Sequence, residues 1–111
     1  MSTRQNKVSK QIQKDIADIL LHHRDDMAHG KMLTVTNVRI TPDLGIAKIY
    51  ISVFPSAGSN EYIQLLNERR NMFRNELGRK LRHQLKKVPE INFYLDDSLD
   101  YIDHIDNLLK E

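Results

Sequence analysis

Between residues 2 and 23 the apolar side chains Val8, Ile12, Ile16, Ile19 and Leu20 return every three or four positions. That spacing puts them on one stripe of an α-helix, with Arg4, Lys7, Lys10 and Lys14 on the opposite side. Ser2 and Gln5 have the separation of a capping box at its start. The period is lost from His22 and His23 through Asp26 to His29-Gly30, which reads as a loop. Residues 33–40 and 46–54 are rich in β-branched side chains and alternate, with Thr41-Pro42-Asp43-Leu44-Gly45 between them. Two such runs joined by a short turn predict an antiparallel hairpin. In the first strand the apolar parity changes near Asn37, as a β-bulge would require.

Ser59 or Asn60 can cap the next helical stretch, which extends from Glu61 to Lys87. Its stripe (Tyr62, Leu65, Leu66, then Met72, Phe73, Leu77, Leu81, Leu85) is interrupted at Arg69-Arg70-Asn71. Two helices with a bend at Asn71 are expected, because asparagine tolerates the left-handed conformation. Val88-Pro89 closes the second helix. Ile91, Phe93 and Leu95 alternate with Asn92 and Tyr94 as a third strand. Asp97 or Ser98 caps a short last helix bearing Leu99, Ile102, Ile105, Leu108 and Leu109.

Three strands with one apolar face, and helices to cover it, predict a two-layer α+β fold. At 111 residues, 40% hydrophobic and 29% charged, a single folded domain over 1–111 is expected. The absence of cysteine excludes disulfides, thiol nucleophiles and cysteine-ligated metals. The apolar run at 49–54 is far shorter than the ~20 residues that span a bilayer. The opening residues are polar, so a cytoplasmic monomer without a membrane role is expected.

Charge adds the functional signal. Arg69, Arg70, Arg74, Arg79, Lys80, Arg82, Lys86 and Lys87 are accompanied only by Glu76, a local +7, whereas residues 96–111 hold six acids and one lysine. A net +2 thus conceals a basic centre and an acidic end, a distribution suited to a polyanion. A solvated face that merely keeps the chain soluble is the competing explanation.

The strand–helix–turn–helix–strand order across residues 46–95 is the minimal unit of a KH domain, and the preceding helix and strand correspond to its type II arrangement. The string Thr34-Val35-Thr36-Asn37-Val38-Arg39-Ile40-Thr41-Pro42-Asp43-Leu44-Gly45, continuing through residue 53, is similar to the ribosome-binding factor A family. So is Val88-Pro89-Glu90-Ile91-Asn92-Phe93-Tyr94-Leu95-Asp96-Asp97-Ser98, and so are residues 4–14 and 77–82. The resemblance implies a type II KH-like fold and a non-catalytic factor that binds the free or immature 30S subunit. It further implies contact with 16S rRNA near its 5′ end, help in late assembly and pre-rRNA processing, and departure before translation. The chain departs from two patterns: it lacks the Gly-x-x-Gly that clamps nucleic acid in a standard KH domain, and Arg69-Arg70-Asn71 stands where the family has an Ala-x-Gly kink. Close approach of glycine backbone to RNA is therefore replaced by side-chain contact with phosphate.

The RNA-binding candidates are Lys7, Lys10 and Lys14 on the first helix with Arg69, Arg70, Arg74, Arg79, Lys80, Arg82, Lys86 and Lys87. Arginine forks grip phosphate bidentately and lysines act as point charges. Tyr50, on the polar face of its strand, is expected to serve ordinary sheet packing. No metal, cofactor or small-molecule substrate is expected. Adjacent His22 and His23 diverge by ~100° on a helix, and Asp96-Asp97-Ser98-Leu99-Asp100 lacks the glycine and glutamate of a calcium loop. Gly78-Arg79-Lys80 is not a phosphate loop. His83 and Glu76, spaced for one helix face, are the remaining enzymatic pair, a weak nuclease candidate. The alternative function is a protein adaptor that uses the apolar stripe of its first or last helix.

Overall fold

A computed structural model describes residues 3–23, 31–55 and 57–96. Helix α1 (Thr3–His22) leads to strands β1 (Met32–Ile40) and β2 (Ile46–Phe54), helices α2 (Ser59–Glu68) and α3 (Arg70–Leu81), and strand β3 (Glu90–Leu95). The sheet order is β1-β2-β3, with β1 antiparallel and β3 parallel to the central β2. A parallel neighbour needs a crossover, and α2 and α3 supply it. The expected α+β layering is present, with the last expected helix and its Asp97 or Ser98 cap lying outside the described residues. α1 packs on β1, and α2 and α3 pack on β3.

The α1 stripe enters the core as its period requires: Ile12 and Ile16 are fully buried, beside Ile49, Ile51, Leu66, Phe73 and Leu77. Each such side chain contributes about 1.5–3 kcal/mol by leaving water. Phe73 and Phe93 meet edge to face with centroids 5.5 Å apart. The bulge is at Thr36, where pairing passes from Val35↔Ile51 to Asn37↔Tyr50. One extra residue lets Val35 and Val38 both face inward. The Thr36 hydroxyl donates to the Asp96 carboxylate just past β3 and lies 3.3 Å from the Tyr50 carbonyl of β2.

Both sheet edges are occupied by side-chain amides. From α1, Gln5 and Gln13 each donate to a β1 carbonyl, those of Ile40 and Val35, at 3.1 Å. From α2, Asn67 donates to the Phe93 carbonyl (2.9 Å) and accepts from the Phe93 N–H (2.8 Å), as a neighbouring strand would. Edge groups satisfied in this way are poor templates for another chain. Of the capping box, Ser2 lies outside the described residues, and the Gln5 amide serves the strand.

Three local expectations need correction. The α2 N-cap is Gly58 at φ 74°, with no side-chain cap, so Ser59 is already helical and buried, and neither Ser59 nor Asn60 caps. The chain enters α2 through a left-handed residue, which glycine adopts without steric cost. The break between α2 and α3 is at Arg69, not Asn71, which lies within α3. Arg69 has φ −102° and ψ 13°; its N–H reaches the Leu65 and Leu66 carbonyls, and its own carbonyl accepts from Met72 and Phe73. That bridge conformation is open to any residue and needs no left-handed turn. Finally, α3 ends at Leu81 rather than Lys87. One further turn, Leu85 N–H to Leu81 carbonyl at 2.9 Å, still buries Leu85, preserving the apolar spacing after the helix has stopped. The segment then folds back over α3, where a Cβ on Gly78 would lie 2.9 Å from a Val88 methyl.

Candidate nucleic-acid interface

The basic residues singled out from the sequence divide into two groups. Arg74 is half-buried and spent on the fold: its Nε donates to the Pro89 carbonyl (3.2 Å) and its Nη2 to the Val88 carbonyl (2.9 Å). Arg70 donates to the Asn92 side-chain oxygen at 3.1 Å, and Lys80 is ion-paired with Asp18 at 2.7 Å. Lys7, Lys10, Lys14, Arg69, Arg79, Arg82, Lys86 and Lys87 are exposed, and their side chains make no hydrogen bond or close ion pair with another described residue.

Local folding explains where the second group lies. Arg79 occupies the last turn of α3, next to the paired Lys80, and Arg82 is the C-cap, where cations also oppose the negative end of the helix dipole. Arg82, Lys86 and Lys87 ride on the segment that returns to β3, whose Glu90 N–H donates to the Gly45 carbonyl in the hairpin turn. Gln5 anchors the start of α1 to Ile40, beside the same turn. Arg39 and Lys48, paired across β1 and β2, flank it on the sheet. Arg39, Lys48, the start of α1 and the end of the segment carrying Lys86 and Lys87 thus lie at the hairpin-turn end of the sheet, whereas Lys80 is held farther along α1 by Asp18.

Asp43 lies in the same turn. The Asp43 carboxyl is held below its usual 3.8, first by the Thr41 hydroxyl (2.6 Å) and next by the Gly45 N–H (3.0 Å); Lys87 adds a smaller pull. Those bonds stabilise the anion and close the turn, and the carboxylate keeps its charge near Lys87. Where α2 breaks, Arg70, Asn71 and Arg74 face Glu90, Ile91 and Asn92 across a shallow polar cleft at the β3 edge. Arg69 stands exposed beside it.

His22 and His23, among the described residues, are engaged by neighbouring groups of the fold. His22 Nδ1 is 2.8 Å from the Asp18 carbonyl, and His23 Nε2 faces both Glu76 oxygens at 2.9 and 3.0 Å, with its ring edge-on to Phe73. Glu76 is thus paired with α1, and His83 lies beyond the end of α3. The expected one-face pairing of His83 with Glu76 is undone.

Sequence reasoning passed over Arg39, Lys48 and Tyr94. Tyr50 packs in the sheet as expected, but its partner is Tyr94, stacked at 5.5 Å and 28°. The alternation of β3 placed Tyr94 on the polar face, whereas its position beside Tyr50 depends on a parallel register that no local pattern reveals.

Residues 4–109 match the family model described as ribosome-binding factor A. A ribosome-binding factor A from Christiangramia forsetii is 44% identical over 110 residues, covering 98% of this chain and 84% of the relative. The crystal structure of ribosome-binding factor A from Thermus thermophilus superposes with a TM-score of 0.70 at 18% identity, over 82% of this chain and 94% of that one. A Thermus thermophilus homology model fitted into a cryo-EM map of a 30S complex superposes with a TM-score of 0.64 at 20% identity, over 80% and 91% of the two chains. These two likenesses establish the fold.

Proposed function

This chain belongs to the ribosome-binding factor A family, and from that premise we propose that it is a maturation factor for the small ribosomal subunit. It binds the free or immature 30S particle and 16S rRNA in the 5′ region, and assists late assembly and pre-rRNA processing without catalysing a reaction. The observation that carries this reading is the set of exposed cations on α1, at the end of α3 and on the segment behind it whose side chains make no hydrogen bond or close ion pair with another described residue. Cations released from structural duty attract phosphate at no cost to the fold, and expulsion of condensed counterions drives the association. Remodelling needs nothing more, because a protein that binds one rRNA conformation better than another shifts the population by its differential affinity. The family relative fitted into a 30S complex is consistent with this target.

The adaptor alternative loses its first surface, since the α1 stripe is consumed by the core: Ile12, Ile16, Ile19 and Leu20 are all buried. No helix among the described residues is long and apolar enough to cross a membrane.

Co-sedimentation with free small subunits and with whole ribosomes over a series of salt concentrations tests the proposal. Contact with about six phosphates gives a log–log slope of roughly −4 for single strands or −5 for duplex RNA. Preference for free small subunits is expected. A flat salt profile, or equal binding to both particles, would reject the reading.

A further inference from the structure

The helices cover one face of the sheet, and the opposite face carries a stack of planar groups. The Arg39 guanidinium lies 5.7 Å from the Tyr50 ring centroid, and Tyr50 stacks on Tyr94. These residues come from β1, β2 and β3 in spatial order, so the stack runs across the sheet and ends at Tyr94, on an edge strand. Tyr94 remains 41% exposed. Beside it on the same strand face is Asn92, whose side-chain oxygen is held by Arg70 reaching around the β3 edge from the α2–α3 break.

We propose that the outer face of Tyr94 is a stacking site for one unpaired RNA base, with the adjoining phosphate held by Arg69 and Arg70 at the break. This rests on the RNA-binding reading above and goes beyond it by naming a single-stranded subsite on the far side of the sheet. The ring is oriented before RNA arrives, because Tyr50, itself beside Arg39, backs its inner face, so little side-chain entropy is lost on binding. Every base presents a π-face, which makes such a site tolerant of sequence. Acids confine the phosphate to the break: Glu90 lines the cleft next to Asn92, and Asp96 follows on the strand with its carboxylate engaged by Thr36. The Arg70 contact joins this site to the basic surface, so one strand of RNA can pass from the cations to the aromatic stack.

The test compares Tyr94→Leu, which keeps apolar area but removes the ring, with Tyr94→Phe, which keeps the ring and removes the hydroxyl. Fluorescence anisotropy with a short labelled single-stranded RNA, and with a blunt duplex of the same sequence, reads the effect. Tyr94→Leu is expected to weaken single-strand binding roughly tenfold and leave duplex binding unchanged, while Tyr94→Phe behaves as wild type. Photo-crosslinking of a 5-iodouridine oligonucleotide to wild-type protein should label Tyr94. Unchanged single-strand affinity in Tyr94→Leu, or crosslinks confined to other residues, would overturn the site while leaving the basic surface intact. Wild-type protein without salt-dependent RNA binding would fail the underlying reading as well. A Tyr94→Leu variant that keeps its RNA affinity but no longer associates with small subunits would assign this face to a ribosomal protein, and would also overturn the proposal.

Discussion

Arg74 and Arg79 belong to the same helix and to the same run of positive charge, yet they are used differently. Arg74 points at the segment that leaves α3 and uses its fork to hold the Val88 and Pro89 carbonyls. Arg79 points into water and holds nothing among the described residues. The division follows from the path of the chain. Because α3 stops at Leu81 and the following segment doubles back, the side of the helix facing that segment must satisfy main-chain groups, while the far side is free. A count of charges along the sequence weights the two arginines equally. Their energetic roles separate only once it is known where the backbone returns.

The largest effect expected from this division is on binding. Reversing Arg79, Arg82 and Lys86 to glutamate replaces with three anions three cations whose side chains bond to no other described residue. RNA and small-subunit binding should fall by more than about a hundredfold, since the electrostatic contribution dominates affinity for phosphate. The circular dichroism spectrum should keep its shape, with the thermal midpoint lowered modestly because anions now stand at the negative end of α3. Retained binding would relieve the end of α3 of this role.

Arg74→Ala should show the reverse pattern at smaller magnitude. Two carbonyls lose charged donors, which costs about 1–2 kcal/mol where the site is partly solvated. Urea denaturation should report that loss, with the salt slope of RNA binding unaltered. Arg74→Lys should not restore stability, because one ammonium cannot reproduce the two-pronged contact. An Arg74→Ala variant with wild-type stability and weakened binding would move Arg74 into the free group.

The features legible from sequence alone were those written in local periodicity. The α1 stripe, the alternation of β2 and the parity change that marks the Thr36 bulge each follow from side chains choosing between core and water. The break between α2 and α3 showed only as a disturbed stripe, since Arg69 adopts a conformation available to any residue and leaves no compositional trace. The end of α3 was hidden by Leu85, which keeps helical spacing through one isolated turn. Gly78 resembled part of a failed phosphate loop, whereas its role is to admit the Val88 methyl. Of the interface, the basic segment was visible as composition. The separation of free from committed cations was not, and neither was the Tyr94 stack, because both depend on contacts between distant stretches of chain.

Lys80 sharpens the comparison with the smallest effect. It adjoins Arg79 in sequence but is tied to Asp18 on α1, so Lys80→Gln should change the salt slope of RNA binding less than Arg79→Gln, which is expected to remove about one unit. The pair also has a pH signature. The Asp18 carboxyl is held below 3.8, chiefly by the hydrogen bond from Lys80, so its contribution is present above 3.8 and is lost as pH falls through the lower folded-state value. The Lys80 ammonium is raised above 10.5, chiefly by the same bond, so its contribution is present below 10.5 and is lost as pH rises through the higher folded-state value. The difference in thermal midpoint between wild type and Lys80→Gln should therefore be level between those limits and shrink outside them. Exposed pairs of this kind contribute little, so the level difference should be small. A difference that instead changed steadily across neutral pH would mean that Lys80 is held by a group other than Asp18.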